Sequence, residues 1–333
     1  MEQEKIIDVA GIGSPIIDLL AHVPDSFIEE LGATKGGMEL VMEQELKDIL
    51  QKLPAEAVCA PGGAAANTTF VLTQLGLKTS FMGMLGRDSL GEYYLENFQN
   101  IGGECCHFRH SEDHPTAQCI SLITPDAERT MRTHLGAAAL FEHHPITAAD
   151  FSQIKHVHIE GYLLFNADLI QKILFCAKQA QCTISLDLGS FEVVNASREL
   201  LRELLKEYVD IVFANELEAE AFAGTTDMDS ALETLFEYCA IAAVKLGSKG
   251  AMVKNSEIKH WIDPVVTENV VDTTGAGDLW AAGFLYGFVQ GHSLETCGRM
   301  GAVIGSHAVR HLGSSLTRES WEQLNEEFFE LTV

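Results

Sequence analysis

Short apolar runs and amphipathic stretches alternate along the second half of the chain. The runs are typical of buried strands, and the stretches between them repeat their apolar residues at helical spacing. The predicted strands cover residues 157–159, 183–188, 211–214 and 242–246, and the predicted helices cover residues 167–180, 197–207, 228–239 and 279–289. This alternation predicts an α/β fold with a largely parallel sheet and right-handed crossovers.

The first half of the chain mixes two patterns. One extends the main fold, with predicted strands at 6–13 and 79–85 and predicted helices at 43–53, 63–75 and from 86 onward. The other consists of short strand-like pieces that alternate apolar and polar residues or flank glycines. These pieces are residues 16–23, 35–42, 116–124 and 128–134, the last two joined by a turn at 125–127. We expect them to form a separate four-stranded sheet.

A small-residue turn at 271–278 (VDTTGAGD) leads directly into the apolar helix. Around Gly275, Ala276 and Gly277 the backbone N–H groups carry almost no side-chain bulk, and amides at a helix start attract anions. Asp278 adds a carboxylate beside this anion site. Such a carboxylate suits a general base that deprotonates a nucleophile attacking a phosphate. The plainer interpretation is a helix N-terminus with aspartate in its first turn.

Other polar residues stand at places where a ligand could approach. Gly62 and Gly63 allow close contact with the backbone, and Asn67, one helical turn on, offers both a donor and an acceptor to a polyol. Asp18 is an isolated acid among apolar residues. Asp187, Asn215, Glu218 and Gly247 follow predicted strands, and the carboxyl ends of parallel strands converge at one edge of a sheet. Each also has an ordinary structural explanation, as a cap, turn or packing residue.

Composition and motifs exclude several classes of function. A net charge of −26, from 48 acidic and 22 basic residues, disfavours a nucleic-acid polymer or an anionic membrane as partner. The dinucleotide fingerprint is broken by Ile16, and no P-loop occurs. His156 and His158 lack a third ligand at metal-binding spacing. The eight cysteines are scattered, the first five residues are unlike a signal peptide, and residues 279–289 are too short to span a bilayer, so we expect a cytoplasmic protein.

The string at 271–278 with its helix resembles the C-terminal signature of the PfkB (ribokinase-like) family of sugar and nucleoside kinases, and the block at 62–91 resembles the N-terminal one. The strings at 35–41, 128–131 and 160–163 are similar to the adenosine-kinase-like branch. The resemblance implies a three-layer α/β/α fold with a mostly parallel central sheet and a small β-sheet lid. It implies a core domain of residues 1–15, 43–108 and 136–333, and a lid of residues 16–42 and 109–135.

The resemblance also implies site residues. Asp278 matches the catalytic base, Gly275, Ala276 and Gly277 match the anion hole, and Arg129 resembles a lid arginine that closes over phosphates. The substrate-binding matches are Asp18, Gly62, Gly63 and Asn67, and the ATP-binding matches are Asn215, Lys245, Gly247, Gly250, Thr274 and His307. Glu218 matches the acid that positions hydrated Mg²⁺, and Asp272 resembles a ligand of a monovalent cation such as K⁺. Lys245 departs from the family, where threonine is common.

The function implied is ATP-dependent phosphorylation of the primary hydroxyl of a nucleoside, with adenosine first. A sugar kinase acting on ribose or fructose is the alternative, since only a nucleoside needs an apolar slot for its base. Candidates for such a slot are Met38, Leu40, Leu135, Phe165 and Phe191. A non-catalytic binding protein on this fold and an oxidoreductase are further alternatives, disfavoured by the intact Asp278 turn and by Ile16. The resemblance allows a monomer or a homodimer formed through the lid.

Overall fold

A computed structural model describes residues 5–126, 128–267 and 270–332. In chain order the strands are β1 (Ile7–Ile12), β2 (Ile16–His22), β3 (Met38–Leu40), β4 (Val58–Gly62), β5 (Thr79–Met82), β6 (Met84–Gly86), β7 (Arg109–Ser111), β8 (Ala117–Ile123), β9 (Arg129–His134), β10 (Ile154–Glu160), β11 (Thr183–Asp187), β12 (Ile211–Asn215), β13 (Ile241–Lys245), β14 (Ala251–Lys254) and β15 (Lys259–Ile262). The helices are α1 (Asp25–Glu30), α2 (Glu43–Lys52), α3 (Ala64–Gln74), α4 (Ser89–Asn100), α5 (Ala167–Gln179), α6 (Phe191–Tyr208), α7 (Glu216–Ala223), α8 (Met228–Phe236), α9 (Ala276–Val289), α10 (Leu294–Ala308) and α11 (Arg318–Thr332).

Eight strands form the central sheet, in the order β15-β14-β13-β12-β11-β10-β1-β5. The six strands from β13 to β5 run parallel, and β14 and β15 add an antiparallel edge. One apolar core joins the sheet to α5–α8, and a second core on the opposite face joins it to α3 and α9–α11. The α/β fold with a mostly parallel sheet between two helical layers is therefore confirmed.

A second, smaller sheet has five strands, in the order β3-β9-β8-β2-β4. Four were predicted, and Ala127 of the predicted β8–β9 turn lies outside the described residues. The additional strand is β4, which pairs antiparallel with β2 at the sheet edge. Its sequence contains Pro61 and lacks alternation, and proline in a sheet is tolerated at an edge. Because β4 comes from the segment assigned to the core, the predicted domain boundaries stay a prediction.

Two other elements differ from the sequence prediction. The strand expected over 79–85 breaks at Gly83, where a Cβ would lie 2.5 Å from Gly13 O, and β6 turns away to pair with β7. The helix expected over 197–207 begins earlier, at Phe191, and is kinked at Ser197. Ser190 caps this helix by accepting a hydrogen bond from the Val193 N–H group, a start signal that helical periodicity alone does not carry.

His156 and His158 lie on β10 inside the fold, each about 1% exposed. Both rings hydrogen-bond to Ser185 Oγ on β11, and His156 also contacts Thr183 Oγ1. Burial lowers the pKa of His156 to about 3 and that of His158 to about 4, so both rings are neutral. Within the described residues no group of three or more His, Cys, Asp or Glu side chains is arranged to hold a metal ion.

All eight cysteines are free thiols. Among the helices of the described residues, none combines the length and the apolar character that crossing a membrane requires.

Candidate active site

Helix α9 begins above the carboxyl ends of the central strands, and its start is built for an approaching anion. Gly275 precedes the helix with φ +67°, a left-handed conformation that favours glycine, and a Cβ there would lie 2.9 Å from Ser314 Cβ. The Ala276 N–H group donates to Thr273 O at 3.2 Å. Within the part of the chain that the structure describes, the N–H groups of Gly275, Gly277 and Asp278 have no protein acceptor. The open amides are therefore those of Gly275, Gly277 and Asp278, and Ala276 of the predicted run is not among them.

Asp278, in the first turn of α9, is held in place by α3. Asn67 Nδ2 donates to Asp278 Oδ2 at 2.9 Å, and Thr68 Oγ1 donates to the Asp278 carbonyl at 2.9 Å. Asn67 Oδ1 in turn accepts a hydrogen bond from Ser314 Oγ at 2.8 Å. Burial, then the nearby Asp187 carboxylate, raises the pKa of Asp278 to about 8. A carboxylate fixed in orientation and raised in basicity suits proton abstraction.

The glycine pair before α3 brings the backbone close to neighbouring groups. Gly63 has φ +103°, and a Cβ there would lie 2.2 Å from Ser14 O. A Cβ on Gly62 would lie 2.2 Å from Asp18 Oδ2, so the Asp18 carboxylate of the small sheet packs directly on this turn. Burial raises the pKa of Asp18 to about 6, although the Arg129 guanidinium opposes the shift. Asp18 thus lies against the glycine pair, and the Gly63 carbonyl accepts a hydrogen bond from the Asn67 N–H group at 2.8 Å.

Arg129 joins the small sheet to the core. Its Nη1 lies 3.4 Å from Asp272 Oδ2. The same carboxylate accepts from the Gly313 N–H group at 2.8 Å, while Oδ1 accepts from Thr274 N–H and Oγ1. These hydrogen bonds lower the pKa of Asp272 despite its burial. Arg129 thus pairs with the residue predicted to hold a monovalent cation.

Asn215 and Glu218 face each other at the junction of β12 and α7. Asn215 Oδ1 accepts from the Glu218 N–H group, and the two Glu218 oxygens accept from Asn215 N–H and Nδ2 at 2.8 and 2.7 Å. This capping box buries the carboxylate, and burial raises the pKa of Glu218 to about 7. A carboxylate fixed this way suits a metal held through water, because Mg²⁺ usually keeps several waters and takes few protein ligands.

Lys245 ends β13 and points toward the start of α9. Its Nζ lies 2.7 Å from Asp187 Oδ2, at the end of β11, and 3.5 Å from Gly277 O. The resemblance placed Lys245 among residues that contact the nucleotide. The ion pair with Asp187 could not be read from the sequence, because the two residues are separated by strand β12 in the sheet.

The remaining predicted residues lie apart from this cluster. Gly247 and Gly250 flank a short turn after β13, with φ +55° and +105°. A Cβ on Gly250 would lie 2.1 Å from Ile262 O, so this glycine packs against β15. His307 is fully buried on α10, with Nε2 3.3 Å from Glu327 Oε1 of α11. His307 therefore faces the interface between α10 and α11 rather than an open pocket.

One further acid was given no role from the sequence. Glu160, at the end of β10, is 2% exposed and accepts hydrogen bonds from the N–H groups of Ser14 at 2.8 Å and Ala65 at 3.2 Å. Burial raises the pKa of Glu160 to about 7. It ties the turn after β1 to the start of α3 and so supports Asn67. The sequence feature that could have identified Glu160 is a single acid directly after an apolar strand, the same feature that identified Asp187.

Comparison with known proteins assigns the chain to a family. The model of the pfkB family carbohydrate kinases matches residues 27–321. A nucleoside kinase of Methanocaldococcus jannaschii is 28% identical over 80% of this chain and 84% of its own length. The crystal structure of adenosine kinase from Sinorhizobium meliloti superimposes with a TM-score of 0.88 at 34% identity, covering 97% of this chain and 99% of that one.

A probable sugar kinase from Rhizobium etli superimposes equally well, with a TM-score of 0.88 at 31% identity over 97% of this chain and 99% of that one. The ribokinase-like fold thus extends over the whole chain. It includes the start of α9, the glycine pair before α3 and the small sheet. The chain belongs to the PfkB family and is an adenosine-kinase-like kinase.

Proposed function

We propose that this kinase transfers the terminal phosphoryl group of ATP to the primary hydroxyl of a nucleoside, with adenosine as the first candidate. The observation that carries the proposal is Asp278, a carboxylate held by Asn67 beside three open amides at the start of α9. A base next to an anion site suits the attack of an alcohol on a phosphate.

In the proposed reaction Asp278 removes the proton of the acceptor hydroxyl. The hydroxyl oxygen forms a bond to the terminal phosphorus, and the bond from that phosphorus to the bridging oxygen breaks, so that ADP leaves. The N–H groups of Gly275, Gly277 and Asp278 stabilise the oxygens of the phosphoryl group while it is transferred. Asp18, Gly62, Gly63 and Asn67 orient the acceptor, because positioning supplies much of the rate in such transfers.

Mg²⁺ fits the donor groups present, as Glu218 and Asn215 would hold it through water. When bound, it supplies charge neutralisation to the phosphates. Asp272 would be the ligand of a monovalent cation such as potassium. Both oxygens of its carboxylate also accept hydrogen bonds, one of them from Arg129.

A nucleoside is favoured over a free sugar by exposed apolar side chains as well as by the relatives named above. Met38 and Leu40 on the small sheet, and Phe165 and Phe191 on the core, are 42–65% exposed. Such side chains suit the apolar faces of a base, which a free sugar lacks. Phosphorylation of a sugar such as ribose or fructose is the second candidate, supported by the similarity to a probable sugar kinase.

An assay of ADP release decides between these substrates. We expect kcat/KM for adenosine to exceed that for ribose and fructose by about tenfold or more, since burying a base adds at least about 1.4 kcal/mol. The product should be a nucleoside monophosphate, identified by mass. A preference for ribose or fructose would establish the sugar kinase instead, and the absence of ADP release with every acceptor would refute both.

A further inference from the structure

Lys245 carries a buried positive charge at the edge of the proposed anion site. Its side chain is 12% exposed and that of its partner Asp187 is 8% exposed. Burial disfavours a charged ammonium, yet the neighbouring carboxylates of Asp187, Glu218 and Asp278 hold the pKa of Lys245 above its ordinary value. The ammonium is therefore charged at neutral pH.

Lys245 Nζ approaches the first turn of α9 closely. It lies 3.5 Å from Gly277 O, and a Cβ on Gly277 would lie 3.1 Å from it. A side chain at residue 277 would crowd the ammonium, and glycine leaves it room at this position. The same residue supplies one of the open amides, so the ammonium lies in the same turn of α9 as the proposed anion site.

The ammonium retains donor capacity. It has three N–H bonds, of which one points to Asp187 Oδ2 and one to Gly277 O. Within residues 5–126, 128–267 and 270–332 no third acceptor lies in hydrogen-bonding range of Nζ. A buried ion pair that served stability alone would be expected to use its donors on protein atoms.

The charge balance of the cluster also calls for a cation here. Asp187, Glu218 and Asp278 are all close enough to Lys245 to raise its pKa. A triphosphate entering this cluster would meet the acidic side chains of Asp187, Glu218 and Asp278, and the Arg129 guanidinium is already paired with Asp272. A fixed lysine ammonium is a common partner of the β- and γ-phosphates in other phosphoryl-transfer enzymes.

We propose that Lys245 contacts the phosphoryl group being transferred, as a fixed cation beside the Gly277 amide, and that Asp187 is the positioning residue that aims it. The proposal rests on the proposed kinase function. Lys245 exchanges no proton in this role. It stabilises negative charge on the phosphoryl oxygens while Asp278 takes the proton of the acceptor.

The test compares variants in the full-length protein. Lys245→Met removes the charge at similar length, and we expect kcat/KM for ATP to fall about 10²–10³-fold, the usual cost of losing one such donor. ATP affinity, measured by calorimetry without acceptor, should fall with it, while the affinity for adenosine should stay within about threefold. Asp187→Asn keeps the ammonium, so it should lose less ATP affinity than Lys245→Met.

The matched control is Lys178→Met. Lys178 also pairs with an aspartate, Asp210, at 3.1 Å and with a backbone carbonyl, that of Tyr208, at 3.3 Å. It lies at the opposite end of the sheet, and we expect unchanged kinetics. If Lys245→Met does not fold, as judged by circular dichroism, Lys245→Gln takes its place, because an amide retains a hydrogen bond to Asp187 without the charge.

Two results would overturn the role of Lys245 in a wild-type enzyme that transfers phosphate. One is an ATP affinity within about twofold of wild type after the charge is removed. The other is an equal loss of ATP affinity in the Lys245 and Asp187 variants, which would indicate a structural ion pair. A wild-type protein that phosphorylates no alcohol would refute the proposed function itself, and calorimetry with ATP would still test the contact.

Discussion

Asn67 Nδ2 and Asp278 Oδ2 lie 2.9 Å apart, although 211 positions separate the two residues in the chain. This hydrogen bond fixes one oxygen of the carboxylate and leaves the other for the acceptor. It also lowers the pKa of Asp278, against the larger effect of burial. The contact therefore links the orientation of the proposed base to its basicity.

Replacing Asp278 with asparagine should abolish proton abstraction but preserve the shape of the site. We expect turnover to fall by at least about two orders of magnitude, the usual contribution of a general base, with ATP binding retained. Steady-state kinetics and calorimetry measure the two effects. Asp168→Asn is the control, since Asp168 is also a first-turn aspartate, on α5, and is exposed. Near-normal turnover in Asp278→Asn would remove Asp278 from the base role.

The activity should depend on pH through the same group. The pKa of Asp278 is raised to about 8, and a base acts only when deprotonated, so kcat/KM for the nucleoside should rise about tenfold per pH unit below that value. In Asn67→Ala the rise should move to higher pH, because a hydrogen bond that lowers this pKa is lost. Rates at saturating ATP between pH 5.5 and about 9 give the profile. A flat profile from pH 6 to about 8 contradicts the assignment.

The raised pKa should also cost stability. Asp278 binds its proton more tightly in the folded protein, where its pKa is about 8, than at the ordinary aspartate pKa of 3.8. Between these values the folded state holds more protons than the unfolded state, so its contribution to the free energy of unfolding falls as pH rises. Between pH 5 and pH 8 we expect the free energy of unfolding of Asp278→Asn to rise by about 1 kcal/mol or more relative to that of wild type, as measured by urea denaturation. An equal difference at both pH values would count against this shift.

Arg129 should limit the hydrolysis of ATP that occurs without transfer to the acceptor. Arg129→Gln removes the contact between the small sheet and Asp272, and we expect turnover to fall about 10²-fold. The share of ATP hydrolysed without transfer should rise, because closure excludes water. Comparing ADP release with nucleoside monophosphate formation measures this share. Arg109→Gln is the control. Arg109 also makes an ion pair, with Asp150 at 2.9 Å, but that pair lies outside the site. An unchanged share would argue against a closing role.

Gly63 should be intolerant of a side chain for two separable reasons. Both Gly63 (φ +103°) and Gly76 (φ +90°) have left-handed φ, but only Gly63 lies against another group, Ser14 O. Gly76→Ala should therefore cost about 1 kcal/mol of stability from strain alone, and Gly63→Ala should cost more and reduce kcat/KM for the acceptor. Urea denaturation and kinetics of both variants separate the effects. Equal losses in the two would show that close approach at Gly63 has no role.

The central sheet was predictable because its strands are continuous apolar runs between helical stretches, and such runs occur in parallel sheets covered on both faces. Strand β4 was missed because an edge strand containing Pro61 shows neither an apolar run nor clear alternation. The break at Gly83 was missed because it depends on close contact with Gly13, the residue that follows the neighbouring strand β1. The first error arises because an edge strand can lack both standard patterns, and the second because a local pattern carries no information about the neighbour of a strand in space.

In the site, too, local features could be predicted from the sequence, and contacts between distant residues could not. Asp278 and the glycine turn are local features, and the sequence predicted them together. The pairing of Lys245 with Asp187, and of Arg129 with Asp272, depends on the order of strands and on the placement of the small sheet. Glu160 was visible as an acid after an apolar strand, but its partners, the Ser14 and Ala65 N–H groups, were not.

The hydrogen bond from Ser314 to Asn67 spans 247 positions and closes the cluster around Asp278. It has a consequence for synthesis on the ribosome, where a chain emerges from its N-terminus at a few residues per second. Asn67 is made early, but its partners Asp278 and Ser314 lie 211 and 247 positions later in the chain. Until Asp278 and Ser314 have been made, the growing chain therefore lacks the hydrogen bonds that hold Asn67 and the proposed base in place.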